Sequence, residues 1–310
     1  KFEALSYAWG AADYYHTLST PEGVIKISTN LTATLRRIML ETRSRHVRVD
    51  AVCINQEDLA ERSRQVRLMG QVYSTASRVL IWLGPDHRRR AKTIFAMVLN
   101  PHQTASLQSL EALGDCLKEL LRCQWLSRLW VVQEYHLAQS ARCIWGEADI
   151  DFRYLEWSFQ AVVSKDNSYS PWVALNKGFF SVFDALSSTR GLQCSEEKDR
   201  VYATLALPYS DEPNLVARIG QMEPRYELPE ARIMFEYARA FVDCSCTHLL
   251  LGQVCHGPTI SSYIRGPSWL PDLSMPAPAS SFPYNSHLTL PTYRKTSHGI
   301  ELMSLARHCF

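Results

Sequence analysis

The sequence predicts an α/β fold: a parallel sheet flanked by helices and followed by a mainly helical C-terminal part. Three observations predict it. Short apolar, β-branched runs alternate with segments of helical apolar spacing through about residue 150, as expected of strands joined by crossover helices. The runs are too short for buried helices and are bounded by Gly, Pro or Asn. Beyond residue 150 the spacing becomes almost wholly helical. The division expected from this is an α/β region over 1–150 and a helical region over 151–310, the latter carrying a Pro-rich surface segment.

The first strand is expected in Phe2–Gly10, ending in a Gly turn, and a short edge strand in Val24–Ser28. Asn30 is the expected N-cap of a helix from Leu31 to about Thr42, with Leu31, Leu35, Ile38 and Met39 on one face. His46–Asn55 reads as the next strand. Asp58 and Glu61 form a capping-box pattern before a helix carrying Val66, Met69, Val72, Tyr73 and Ala76. Val79–Leu83 is a buried strand stopped by Gly84-Pro85. Helices follow at about 107–123 and 127–138, then a strand at Ala141–Trp145. Helices are expected at Tyr154–Val163, Phe179–Ser187, Arg200–Leu207 and Leu228–Val242, and an extended surface segment at Gly266–Ser280.

Composition narrows the function. Hydrophobic residues are 46% of the 310 and charged residues 21%, which is globular rather than disordered. A net charge of +2, from 33 basic and 31 acidic residues, calls for neither nucleic acid nor an anionic membrane. The nine Cys are odd in number and irregularly spaced, so reduced thiols and a cytoplasmic location are expected. The opening at Lys1, directly before a strand, reads as a fragment lacking its natural N-terminus. No apolar run approaches the roughly 18 residues of a membrane span.

GxSxG, P-loop and GxGxxG signatures are absent. Cys244-Ser245-Cys246 with His248, Cys255 and His256 lacks zinc-site spacing, so no metal is expected. Ligands of parallel sheets bind at the strands' carboxyl ends. Those ends offer Ser6, Tyr7, Trp9 and Gly10, then Asn55 and Gln56, then Gly84 and Asp86. Asp50, inside an apolar run, needs a partner such as Arg48, Arg78 or a helix N-terminus. Cys53 in the same run is a nucleophile candidate or inert packing. In the Trp125–Glu134 segment, Glu134 follows Trp130 by one helical turn, where a carboxylate beside an indole is partly desolvated.

Several of these blocks, in order, resemble the fungal heterokaryon-incompatibility (HET) domain. They are Glu3-Ala4-Leu5-Ser6-Tyr7-Ala8-Trp9-Gly10, Asn30-Leu31, Val49–Gln56 and Asp58 with Glu61-Arg62 and Gln65-Val66. Met69, Tyr73 and Ala76 continue the match into Trp82-Leu83-Gly84 and Arg128–Glu134. The last blocks are Asp199-Arg200-Val201-Tyr202-Ala203 and Pro267–Asp272. Ala8 departs from the family's more usual Val. The resemblance implies a module of self/non-self recognition and programmed cell death, distantly similar to TIR domains with their flavodoxin-like sheet. Enzymatic TIR domains hydrolyse NAD through a Glu on a helix, and Glu134 is where that pattern falls. The implied site has Glu134 as catalytic carboxylate and Ser6, Tyr7, Trp9, Gly10, Asn55, Arg128 and Trp130 as substrate-binding residues, with Asp50 and Cys53 as secondary candidates. NAD enters as substrate, no resident cofactor is implied, and a homo-oligomer is expected. Two rival readings are a non-catalytic self-association or partner-binding module and a small-molecule enzyme repurposed on the same scaffold.

Overall fold

The computed structural model describes residues 1–10, 13–100, 114–117, 120, 123–163, 181–254, 271–274, 293–296 and 299–302. Its central sheet has five strands in the order β4-β1-β5-β6-β7. β1 (Glu3–Tyr7) lies between β4 (Val47–Arg48) and β5 (Val79–Trp82), parallel to both. β6 (Ala141–Trp145) extends the parallel set beside β5, and β7 (Ala148–Asp151) closes the edge antiparallel to β6. The expected α/β architecture is therefore present. Counting only these five strands, the order is 2-1-3-4-5, the doubly wound order in which the chain reverses direction beside the first strand. A crevice at the carboxyl end of β1 is the physical consequence, because the β1-to-β4 and β4-to-β5 connections run over opposite faces of the sheet.

Strand alternation builds two cores. Ala4, Val79, Ile81 and Cys143 face one layer, with Met69, Tyr73, Trp125 and Leu129. Leu5, Tyr7, Leu80, Trp82 and Ile144 face the other, with Ile27, Leu31 and Ile38. The Leu59–Thr75 helix serves the first face and the Thr29–Ile38 helix the second. A third core, formed among others by Val182, Leu186, Tyr202, Ile233, Tyr237 and Phe241, belongs to the later helices. Those helices are Val182–Ser188, Asp199–Tyr202, Pro213–Gly220, Glu230–Asp243 and Thr247–Leu251. The helix expected at 154–163 runs Phe152–Val163 and contributes Leu155 and Phe159 to the first core.

Several expectations need correction. Gly23–Ile27 (β3) is not an edge of the central sheet but pairs with His16–Thr20 (β2) in a separate hairpin. The helix after it is capped by Ser28, whose Oγ accepts from the Leu31 amide at 3.2 Å, rather than by Asn30. The run His46–Asn55 keeps only two strand residues before turning helical over Asp50–Cys53. Apolar runs of this length suit a strand or a helical turn equally, and here the Val49 and Asp50 carbonyls accept from Cys53 and Ile54. Asp58 does cap its helix, accepting from the Ala60 and Glu61 amides, but Glu61 turns instead to the Asn55 amide. The expected 127–138 helix is a 3₁₀ turn at Gln124–Ser127, an extended Arg128, and a helix from Trp130 to His136. Most of the expected 107–123 helix lies outside the described residues, and 114–117 are helical.

Of the Pro-rich segment, only 271–274 is described. There Leu273 is buried in the third core rather than at the surface, because Arg190 Nη2 donates to the Asp272 carbonyl at 2.5 Å. Residues 1–278 form one compact unit and 279–310 a second. The second contains an antiparallel pair, Tyr293–Thr296 with Gly299–Leu302. No helix among the described residues is long and apolar enough to cross a membrane.

Candidate functional site

At the carboxyl end of β1 the chain must turn sharply, and Gly10 supplies the left-handed φ of +75° that this needs. Asn30 fixes the turn. Its Nδ2 donates to the Ala8 carbonyl at 2.6 Å, and its Oδ1 accepts from Trp82 Nε1 at 3.0 Å. This leaves Trp9 partly exposed on the rim of a cavity of about 430 Å³.

Glu134 lines the same cavity, although its side chain is 2% exposed. Its helix begins at Trp130 and packs against the Leu59–Thr75 helix. The carboxylate accepts a short hydrogen bond from Ser6 Oγ, which in turn accepts from Trp125 Nε1 at 2.7 Å. Thus β1, the 3₁₀ turn and the helix together orient one carboxylate. Asp50, at the start of its helical turn, reaches the cavity from the β4 side. Arg128 lines it between the two acids and donates to the Tyr7 carbonyl.

Burial pushes the Glu134 carboxyl up to about 7, against the opposing charge of Arg128 and with the repulsion of Asp50 added. Burial likewise pushes Asp50 up to about 6, opposed by Arg48 and Arg128. Of the two, Glu134 is the group raised further by its neighbour's charge. Near neutral pH the cavity holds a carboxylate beside a group poised to give or take a proton. The two acids can also accept hydrogen bonds from ligand hydroxyls and stabilise a developing positive charge.

The far wall comes from distant sequence. Trp130 Nε1 donates to Asp199 Oδ2 at 3.1 Å, and Tyr226 Oη donates to the other oxygen of the same carboxylate. Arg62 stacks 3.6 Å over the Tyr226 ring and pairs with Glu196 at 2.6 Å. Burial raises Asp199 above the usual carboxylate range, opposed by the Tyr226 and Trp130 hydrogen bonds.

Of the residues expected at the site, Trp9, Gly10, Asp50, Arg128, Trp130 and Glu134 meet at this cavity. Ser6 stands behind Glu134 as its hydrogen-bond partner. Tyr7 is placed elsewhere: its side chain packs with Ile27, Leu31 and Trp82 on the opposite sheet face, so it offers no stacking surface here. Asn55 is exposed, and its Oδ1 accepts from the Glu57 amide at 3.2 Å, while its neighbours Ile54 and Gln56 line the cavity instead. Cys53 is exposed on the helical turn, away from both the strand core and the cavity lining. Arg62, Gln193, Glu196, Asp199 and Tyr226 join the site without having been expected there. Arg62 and Asp199 do fall within blocks of the family resemblance, which is the signal that could have found them.

The chain is thus an α/β protein with a mostly parallel sheet and a carboxylate-lined crevice at the carboxyl end of its first strand. Residues 2–134 match the family described as heterokaryon incompatibility protein (HET). The chain is similar to heterokaryon incompatibility protein 6, OR allele, of Neurospora crassa, with 30% identity over 185 residues, covering 55% of this chain and 25% of that protein. The matched part thus spans a quarter of the curated relative's length. No solved structure matches the chain.

Proposed function

We propose that this chain is an effector module of fungal heterokaryon incompatibility and programmed cell death, and that its cavity binds NAD and hydrolyses the nicotinamide–ribose bond. One observation carries the reading: Glu134 is buried at the base of a cavity, aimed by Ser6, with Trp9, Asp50 and Arg128 around the same space. In the reaction the ribose C1′–N bond breaks, the nitrogen keeps the electron pair, and neutral nicotinamide leaves. Positive charge develops on the ribose as in glycoside cleavage. Glu134 stabilises that charge and accepts hydrogen bonds from the ribose hydroxyls. Water adds to C1′, and its proton passes to the Asp50 carboxylate. Trp9 stacks on a ring of the substrate, and Arg128 contributes positive charge toward its phosphates.

The test is NAD consumption by the purified chain, followed by chromatography of released nicotinamide. Glu134→Gln should lower turnover by about 10²-fold or more while leaving the fold intact. Equal turnover by the two proteins defeats the glycohydrolase reading.

A second reading, self-association without chemistry, is favoured by the exposed aromatic and apolar side chains Tyr14, Tyr15 and Val24 on and beside the β2–β3 hairpin. A concentration-dependent size in sedimentation, abolished by Tyr15→Ser, with no NAD consumption at any concentration, would support it.

A further inference from the structure

The geometry points to a second ligand site, in a separate cavity on the β5–β6 side of the sheet, that takes a phosphorylated small molecule carrying at least two negative charges. This cavity measures about 830 Å³ and lies where β5 and β6 end, with Trp82 and Gly146 in its wall. Carboxyl ends of parallel strands are where open α/β sheets receive ligands. Its charged lining is Arg36, Arg37, Arg89 and Lys92 against Asp86 and Glu147.

The two carboxylates are already committed. Asp86 accepts from the backbone amides of Arg90 at 3.0 Å and Ala91 at 2.8 Å, capping the Ala91–Leu99 helix. Glu147 faces Arg37 at 3.6 Å. Arg37 is itself part of the wall: its Nε donates to the Gly146 carbonyl at 2.9 Å and its Nη2 to the Glu147 carbonyl at 3.0 Å. Arg36, Arg89 and Lys92 are different. They are exposed, and none makes a side-chain hydrogen bond or ion pair among the described residues. Three uncommitted cations around one concavity repel one another, and an anion with several charged oxygens relieves that repulsion through charge-assisted hydrogen bonds. Trp82, Pro85, Ala33 and Ala148 give the cavity an apolar component as well, which suits an organic phosphate better than a bare ion.

The occupant's phosphate groups can come from a soluble metabolite or from a lipid headgroup, and the experiment separates the two. The full chain is titrated calorimetrically with inorganic pyrophosphate. In parallel it is sedimented with phosphatidylcholine vesicles, with and without a phosphorylated inositol headgroup. Saturable binding in either arm is expected, weakening as salt rises. Arg89→Ala combined with Lys92→Ala should weaken it by about tenfold or more. Both residues are exposed, so thermal melting of this variant should match wild type. Glu134→Gln, which alters the other cavity, should bind as wild type does. Loss in the pyrophosphate arm identifies a soluble ligand, and loss in the vesicle arm alone identifies a headgroup. Absence of saturable binding in both arms overturns the site. So does binding that survives the double substitution or disappears in Glu134→Gln.

Discussion

Replacing Glu134 with Gln should change the pH dependence of folding stability in a definite direction. The carboxyl titrates near 7 in the folded chain because burial disfavours its charged form, against 4.5 for an ordinary Glu. Between those values the native state binds more protons than the unfolded state, so stability falls as pH rises through this window. The contribution is fully present below about 4.5 and gone above about 7. A rise of this size corresponds to roughly 3 kcal/mol favouring the neutral acid. Gln cannot ionise, so this slope disappears in the variant. It retains a carbonyl to accept the Ser6 hydroxyl, but its amide presents donors toward Arg128, which costs stability at every pH. The destabilisation caused by Glu134→Gln should therefore shrink by roughly 2 to 3 kcal/mol on moving from about pH 5 to about pH 8. At the higher pH the variant can even be the more stable protein. Asp50 is present in both proteins and its own shift comes from burial, Arg48 and Arg128, so its contribution is largely common and cancels in the difference. Urea denaturation of both proteins at the two pH values measures this directly. A pH-independent difference, or one that grows at high pH, would refute the assignment of a buried, proton-bearing carboxyl.

Other substitutions probe the same structure. Asp50→Asn removes the like charge that Glu134 feels, so the Glu134 titration midpoint, followed by side-chain carbonyl NMR, should fall below 7. Ser6→Ala strips a hydrogen bond from Glu134 and leaves Trp125 Nε1 without its acceptor; the midpoint should rise and stability drop by about 1–3 kcal/mol in denaturant titration. A Cβ at Gly70 would stand 2.7 Å from the Ala206 Cβ, so Gly70→Ala should cost about 1–3 kcal/mol and lower the thermal midpoint. Cys53 is exposed while Cys143 is buried. Mass spectrometry after brief alkylation of the native chain should find Cys53 labelled before Cys143, and Cys53→Ser should leave NAD turnover unchanged.

The alternating strands and helices are legible in the sequence because binary pattern and caps are local properties. Val79–Trp82, Ala141–Trp145 and the Asp58 cap all lie where the pattern puts them. Where the local signal is ambiguous, it misleads: the residues from Asp50 to Ile54 satisfy strand and helical-turn patterns alike, and only the parallel edge at Val47–Arg48 decides how far pairing runs. β2 and β7 escape a reading of pattern because hairpin partners are defined by pairing, not by their own sequence. Tyr7 is misplaced for a related reason. Neighbouring strand residues point to opposite faces, so a site built on Ser6 excludes Tyr7.

The sequence by itself determined the fold class, carried the blocks that match the HET family over residues 2–134, and singled out Glu134 as a candidate acid, because each is written in contiguous residues. Tertiary structure alone decided what surrounds that acid. Bringing Asp199 and Tyr226 beside Trp130, and Arg62 over Tyr226, requires closing long loops of chain. Burial, which sets the proton affinity of Glu134 and Asp50, comes from the packing of Trp125, Met69 and their neighbours, not from nearby sequence.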